Sequence, residues 1–224
     1  MFNRRACCAA VAAVLTLTAC AAGQPAEPDY SRANIANVAQ VKSSFGPQFQ
    51  VTEVGPTGID PRFLAAQPVP PGVTFDPADC AKFATGQAFP PGLKGNMAAT
   101  TAEGEGNRFI TIAVETSEPV PLDDPGEACR KVAFTGGPIR GLVEAVESPD
   151  IGGGVRTTGS HRVVHTTVDG APRTGELYNY VAAFGPFLVI VTANPLVVPD
   201  KPVTPVDTQR ARDLLTAAVA AVKG

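Results

Sequence analysis

The sequence predicts an α+β domain: a twisted antiparallel sheet packed with N-terminal, middle and C-terminal helices and closed by one disulfide. Three observations carry that prediction. Glycine and proline each occur 22 times in 224 residues, which favours strands joined by punctuated loops over a helical bundle. The segment from Arg108 to Thr116 alternates strictly, with Ile110, Ile112 and Val114 on one face and Phe109, Thr111 and Ala113 on the other. The segment from about Thr204 to Val222 instead repeats its apolar residues at helical spacing, through Val206, Leu214, Leu215, Ala218, Val219 and Val222.

Taken in order, the domain opens with a helix. Ser31 serves as its N-cap, Ile35, Val38, Val41 and Phe45 fall near helical spacing, and Gly46-Pro47 stops it. Phe49, Val51 and Val54 make a short strand, and a loop rich in proline and glycine follows from Gly55 to Thr74. Asp76-Pro77 reads as a helix entry, an aspartate cap with proline at the first helical position. Cys80, Phe83 and Ala84 share one face of that helix, and Gly86 ends it. Met97 to Ala102 is a strand joined to Arg108–Thr116 by the hairpin loop Glu103–Asn107. An acidic, proline-rich loop from Glu118 to Gly126 leads to strands at Cys129–Thr135 and Arg140–Glu147.

The last third is the most legible. Gly152-Gly153-Gly154 breaks the chain. Val155–Val168 and Ala171–Phe184 then flank Asp169-Gly170, which favours the positive dihedrals of a type I′ hairpin turn. Leu188 to Ala193 is an unbroken apolar run, the pattern of a central strand covered on both faces.

Ahead of the domain stands a leader. Arg4 and Arg5 precede an apolar run from Ala6 to Thr18, the order of a secretory signal peptide over residues 1–19. The run is shorter than the roughly 20 apolar residues of a spanning helix. Leu17-Thr18-Ala19-Cys20 resembles the lipobox of bacterial lipoproteins, which implies that Cys20 is acylated and becomes the first mature residue. Residues 20–30 are then a lipidated cysteine and polar tether, and residues 31–224 a single domain on the outer face of the cell membrane. Two acyl chains are what stable anchoring takes.

Of five cysteines, Cys7 and Cys8 leave with the leader and Cys20 takes the lipid, so Cys80 and Cys129 remain as an even pair in an oxidising compartment. A disulfide between them closes a loop of about 50 residues, worth roughly 4 kcal/mol in the chain-entropy account. No Cys-x-x-Cys spacing points to redox work. The formal net charge is −3 and two of the arginines sit in the leader. No basic footprint remains for nucleic acid. Tryptophan is absent, which weakens a sugar-stacking site.

Catalytic and metal chemistry find no candidate. His161 and His165 share a face of a strand but lie roughly 13 Å apart, too far for one metal ion without a bend. Ser160 and His161 are neighbours on a strand and point to opposite faces. Asp123, Asp124 and Glu127 match no EF-hand spacing, and the triple glycine precedes no Lys-Ser or Lys-Thr, so neither a calcium loop nor a phosphate loop is read. Binding by a sheet face is the better reading, with Arg156, Arg162, Tyr178 and Tyr180 as candidate ligand contacts. These lie on even positions of paired strands, and whether the two pairs meet depends on register. A scaffold for an envelope partner, and more weakly an envelope hydrolase, are the alternatives.

The lipobox, the opening amphipathic helix, Phe49-Gln50-Val51-Thr52 after Gly46-Pro47, Gly72-Val73-Thr74-Phe75-Asp76-Pro77 leading to Cys80, and Phe109-Ile110-Thr111-Ile112-Ala113 before Cys129 together resemble an uncharacterised family of mycobacterial lipoproteins. More distantly they resemble the extracellular sensor domain of the receptor kinase PknH. The resemblance implies one α+β domain with a twisted antiparallel sheet, a disulfide and a cleft for a small molecule or lipid. It brings no catalytic residues and no cofactor. Sensor domains of that kind carry two disulfides, whereas this mature chain has cysteines for one beyond its anchor.

Overall fold

A computed structural model describes residues 29–59, 71–86, 90, 92–168, 170–199 and 201–224. The leader, Cys20 and most of the tether lie outside the described residues. The fold is α+β, with nine strands in one antiparallel sheet: β1 (Gln50–Gly58), β2 (Thr74–Asp76), β3 (Gly95–Gly104), β4 (Asn107–Thr116), β5 (Lys131–Gly136), β6 (Ile139–Ala145), β7 (Arg156–Val168), β8 (Ala171–Phe184) and β9 (Phe187–Pro195). Their spatial order is β1-β3-β4-β9-β8-β7-β6-β5-β2. The apolar run beginning at Leu188 is central, paired with β4 on one side and β8 on the other.

Why β9 sits there follows from its side chains. Val189, Val191 and Ala193 are buried in the core beneath the helices, while Leu188 is buried in a second core on the opposite face. A strand without a polar face has no stable place at a sheet edge. The edge strand β1 has the opposite character: most of it is exposed, it carries Glu53 and Pro56, and its register shifts between Val54 and Thr57. Charge, proline and a bulge keep such an edge from pairing further.

The N- and C-terminal helices cover one face. The C-terminal helix α2 (Thr208–Lys223) buries Ala211, Leu214, Leu215, Ala218, Val219 and Val222 against the sheet. It starts later than the apolar pattern alone suggests, because Asp207 caps it by accepting from Arg210 N at 2.9 Å. Asn107, the first residue of β4, holds that start in place: its side chain accepts from Asp207 N at 3.0 Å and donates to Pro205 O at 3.2 Å.

The N-terminal helix is a 3-10 helix (Ile35–Ser44), capped by Asn34 and not by Ser31. Ile35, Val38 and Val41 are its buried residues, and Thr100 of β3 donates to Val38 O at 3.3 Å beneath them. The middle helix also departs from expectation. Asp76 is the last residue of β2, paired with Ala133, and no side-chain cap bond forms. A 3-10 turn (Ala78–Cys80) leads into α1 (Ala81–Thr85), five residues long. Strand pairing thus competes for Asp76 and wins, leaving α1 to be held by its packing, with Cys80 and Ala84 buried against Val132, Phe134 and Val143.

Cys80 and Cys129 form the disulfide, with Cα atoms 5.3 Å apart and a sequence separation of 49. At the far end of the sheet, Tyr30 packs on Phe184 and Phe187 with ring centroids 5.8 and 6.3 Å away. The chain entering the domain is therefore clasped at the β8–β9 turn.

Candidate functional site

The face of the sheet opposite α2 carries a cleft of about 820 Å3. One wall is α1 with the disulfide, through Cys80, Lys82, Phe83 and Cys129; a second is the acidic loop, through Leu122, Asp123, Asp124 and Pro125. Its floor is β7 and β8, where Thr158 and Ser160 of one strand lie beside Val181 and Asn179 of the other. Lys82 and Asp123 form an ion pair that ties the two walls together.

The register decides which candidate contacts share this space. Ser160 pairs with Asn179 and His161 with Tyr178, so even positions of β7 face the same way as odd positions of β8. Arg156 and Arg162 project on the cleft side. Tyr178 and Tyr180 project on the helix side, where Tyr180 is 1 % exposed in the main core. A single site lined by all four is therefore excluded by geometry, and of the four Arg156 alone lines the cleft.

Arg162 has another partner. Its guanidinium donates to Ala84 O at the end of α1 and lies 5.9 Å from the centre of the Phe134 ring. Burial pushes its pKa below the ordinary arginine value. Its position fits a pin holding α1 against the sheet, and so shaping the cleft wall.

Tyr178 belongs to a polar ladder on the helix side that sequence reading missed. Lys131, Glu144, His161 and Tyr178 face one another across β5, β6, β7 and β8. Lys131 Nζ lies 2.8 Å from Glu144, His161 Nε2 lies 2.9 Å from Glu176 Oε1, and the His161 ring stacks on Tyr178 at 4.2 Å. Burial, then the neighbouring Glu176, raises the Tyr178 pKa; burial raises that of Tyr180, partly offset by Arg212. His165 lies apart, its Nδ1 3.0 Å from Thr174 Oγ1. Among the described residues no group of three or more His, Cys, Asp or Glu is placed to hold a metal ion.

Within the cleft, Arg156 stands out. Lys82 pairs with Asp123 and Arg130 with Glu127 at 3.5 Å, whereas Arg156 donates only to Leu122 O, at 3.4 Å, among the described residues. Thr158 and Ser160 make no side-chain hydrogen bond among the described residues, and Asn179 uses only its oxygen, accepting from Thr192 at 3.3 Å. Among the described residues the floor thus presents a cation without a carboxylate partner and several polar groups without side-chain partners, beside Phe83 and Leu122.

Residues 34–223 match the family described as Domain of unknown function (DUF5642). The chain belongs to the DUF5642 family. Among solved structures, this DUF5642 chain is similar to the Rv0999 ortholog from Mycobacterium smegmatis, with 66 % identity and a TM-score of 0.81 over 88 % of this chain and 100 % of that one. That match bears out the resemblance to an uncharacterised mycobacterial family. A further match, at 14 % identity and a TM-score of 0.37, is to the extracellular domain of PknH from Mycobacterium tuberculosis, over 87 % of this chain and 98 % of that one. Comparison with curated proteins finds no match.

Proposed function

We propose that this DUF5642 chain is a lipid-anchored, extracytoplasmic binding or sensor-like domain of a bacterial cell envelope, noncatalytic, whose cleft takes a small molecule or lipid. The leader and Leu17-Thr18-Ala19-Cys20 support export and acylation of Cys20. The Cys80–Cys129 disulfide supports an oxidising compartment. No described helix is long and apolar enough to cross a membrane, which leaves anchoring to the lipid in this reading.

The observation that carries the binding reading is the cleft itself: about 820 Å3, within the size range of small-molecule sites, with Arg156 lacking a carboxylate partner among the described residues and Phe83 and Leu122 in its walls. A noncatalytic role is supported by the placement of Ser160 on the cleft side and His161 on the other, which separates the nearest nucleophile and base.

The test is thermal unfolding of the purified domain against a fractionated envelope extract. At least one fraction should raise the melting temperature in a dose-dependent way, as a ligand that binds only the folded state must. Silence of every fraction, together with reproducible in-cell crosslinking to one protein, would overturn this in favour of a scaffold.

A further inference from the structure

We infer that the cleft recognises a ligand with a single carboxylate on an apolar body, the carboxylate being held by Arg156. This rests on the binding reading above and names the chemical class. Arg156 lies at the start of β7, opposite Ala183, with Thr158 two residues along on the same face. It is the cation of the cleft that has no carboxylate partner among the described residues. Holding Nη1 on the Leu122 carbonyl aims the guanidinium along the loop wall and leaves its remaining N–H donors unused. An arginine fork matches a carboxylate in two parallel hydrogen bonds, which a neutral ligand cannot exploit.

Two neighbouring features narrow the class. Asp79, Asp124 and Glu147 also line the cleft and have no cationic partner among the described residues, so a ligand carrying several negative charges is repelled at the rim. A ligand with one negative charge meets the same repulsion once, and the pairing with Arg156 offsets it. Leu122 and Val181 reach the cleft from the second core with little surface left open, so its apolar surface comes mainly from Phe83, half-buried across the cleft, with the edges of those two. These give an apolar body somewhere to lie, and burying it supplies affinity that the ion pair alone would lose to water. Arg162 is not available for the same work, being committed to Ala84.

The source of such a ligand is either a free acid in solution or one carried in a lipid leaflet, and the experiment separates them. The mature chain, residues 20–224 with Cys20→Ser to keep it in solution, is titrated calorimetrically with octanoate, octylammonium and citrate, and by co-sedimentation with phosphatidylcholine vesicles with and without oleate. Octanoate should bind, citrate and octylammonium should bind at least tenfold more weakly, and Arg156→Ala should lose at least tenfold in octanoate affinity. Arg156→Gln, which keeps polar contact with Leu122 but not the charge, should lose as much, while both variants melt as the wild type does. Saturable binding to oleate vesicles with no octanoate binding, abolished in both variants, assigns the carboxylate to a leaflet source. Equal binding of octylammonium, or unchanged affinity in both variants, overturns the inference. An envelope fraction that stabilises wild type and both variants alike also overturns it, while leaving the binding-domain reading intact; silence of all fractions with reproducible crosslinking to one protein removes that reading instead.

Discussion

The guanidinium of Arg162 is partly buried, donates to the Ala84 carbonyl and sits over the Phe134 ring. A charged hydrogen bond in such a place contributes about 2 kcal/mol, and its loss leaves a helix-end carbonyl without its donor. Arg162→Ala should therefore destabilise the fold by about 2 kcal/mol in urea unfolding, and Arg162→Lys should recover less than half, because an ammonium cannot lie flat on the ring. A loss under about 0.5 kcal/mol would show that α1 is held by packing alone. At this scale the sequence was legible up to strand parity. Even positions on β7 and β8 each keep one face, but Arg162 was read as a ligand contact because a carbonyl at the end of a helix far along the chain leaves no trace in local pattern. The parity itself had a usable signal. A two-residue turn pairs Val168 with Ala171, and counting back from that pair already sets Ser160 against Asn179 and parts the arginines from the tyrosines.

Strands were easier to read than helices, and the reason is physical. Alternation in β4 and the apolar run in β9 are enforced by burial at every step, so the pattern survives in the residues. The short helices are fixed by competition with neighbours: Asp76 goes to the β2–β5 pairing, and Asn34, whose N–H donates to Val222 O of α2 at 2.8 Å, replaces Ser31 as cap. Within the sheet, Gly159 shows how closely β7 meets what covers it. A Cβ there would stand 2.8 Å from Val146 O and 3.1 Å from Tyr180 Cδ1, and Tyr180 is locked in the main core. Gly159→Val should thus cost about 2 kcal/mol by overpacking, with Gly159→Ala milder. Chemical denaturation reads the loss, and near-ultraviolet circular dichroism should report a displaced Tyr180. A Gly159→Val protein as stable as wild type would mean the loop around Val146 yields freely.

Across the whole molecule, the disulfide joins two segments that the sheet places on one side of the cleft, the end of the 3-10 turn before α1 and the approach to β5. Closing a loop with a separation of 49 residues contributes about 4 kcal/mol in the chain-entropy account, a large part of the roughly 5 to 15 kcal/mol by which domains are stable. The double variant Cys80→Ala with Cys129→Ala should lose most of that in urea unfolding and should bind cleft ligands more weakly, since Cys80, Phe83 and Cys129 all line the wall. A loss below about 1 kcal/mol would show that hydrophobic packing alone closes the domain.

Tyr30, packed on Phe184 and Phe187 on the helix side, fixes where the polypeptide leaves the body. If acyl chains hold Cys20, the leash from there to Asp29 measures at most about 30 Å fully drawn out. Such a leash would keep the point where the chain enters the body within that distance of the leaflet surface.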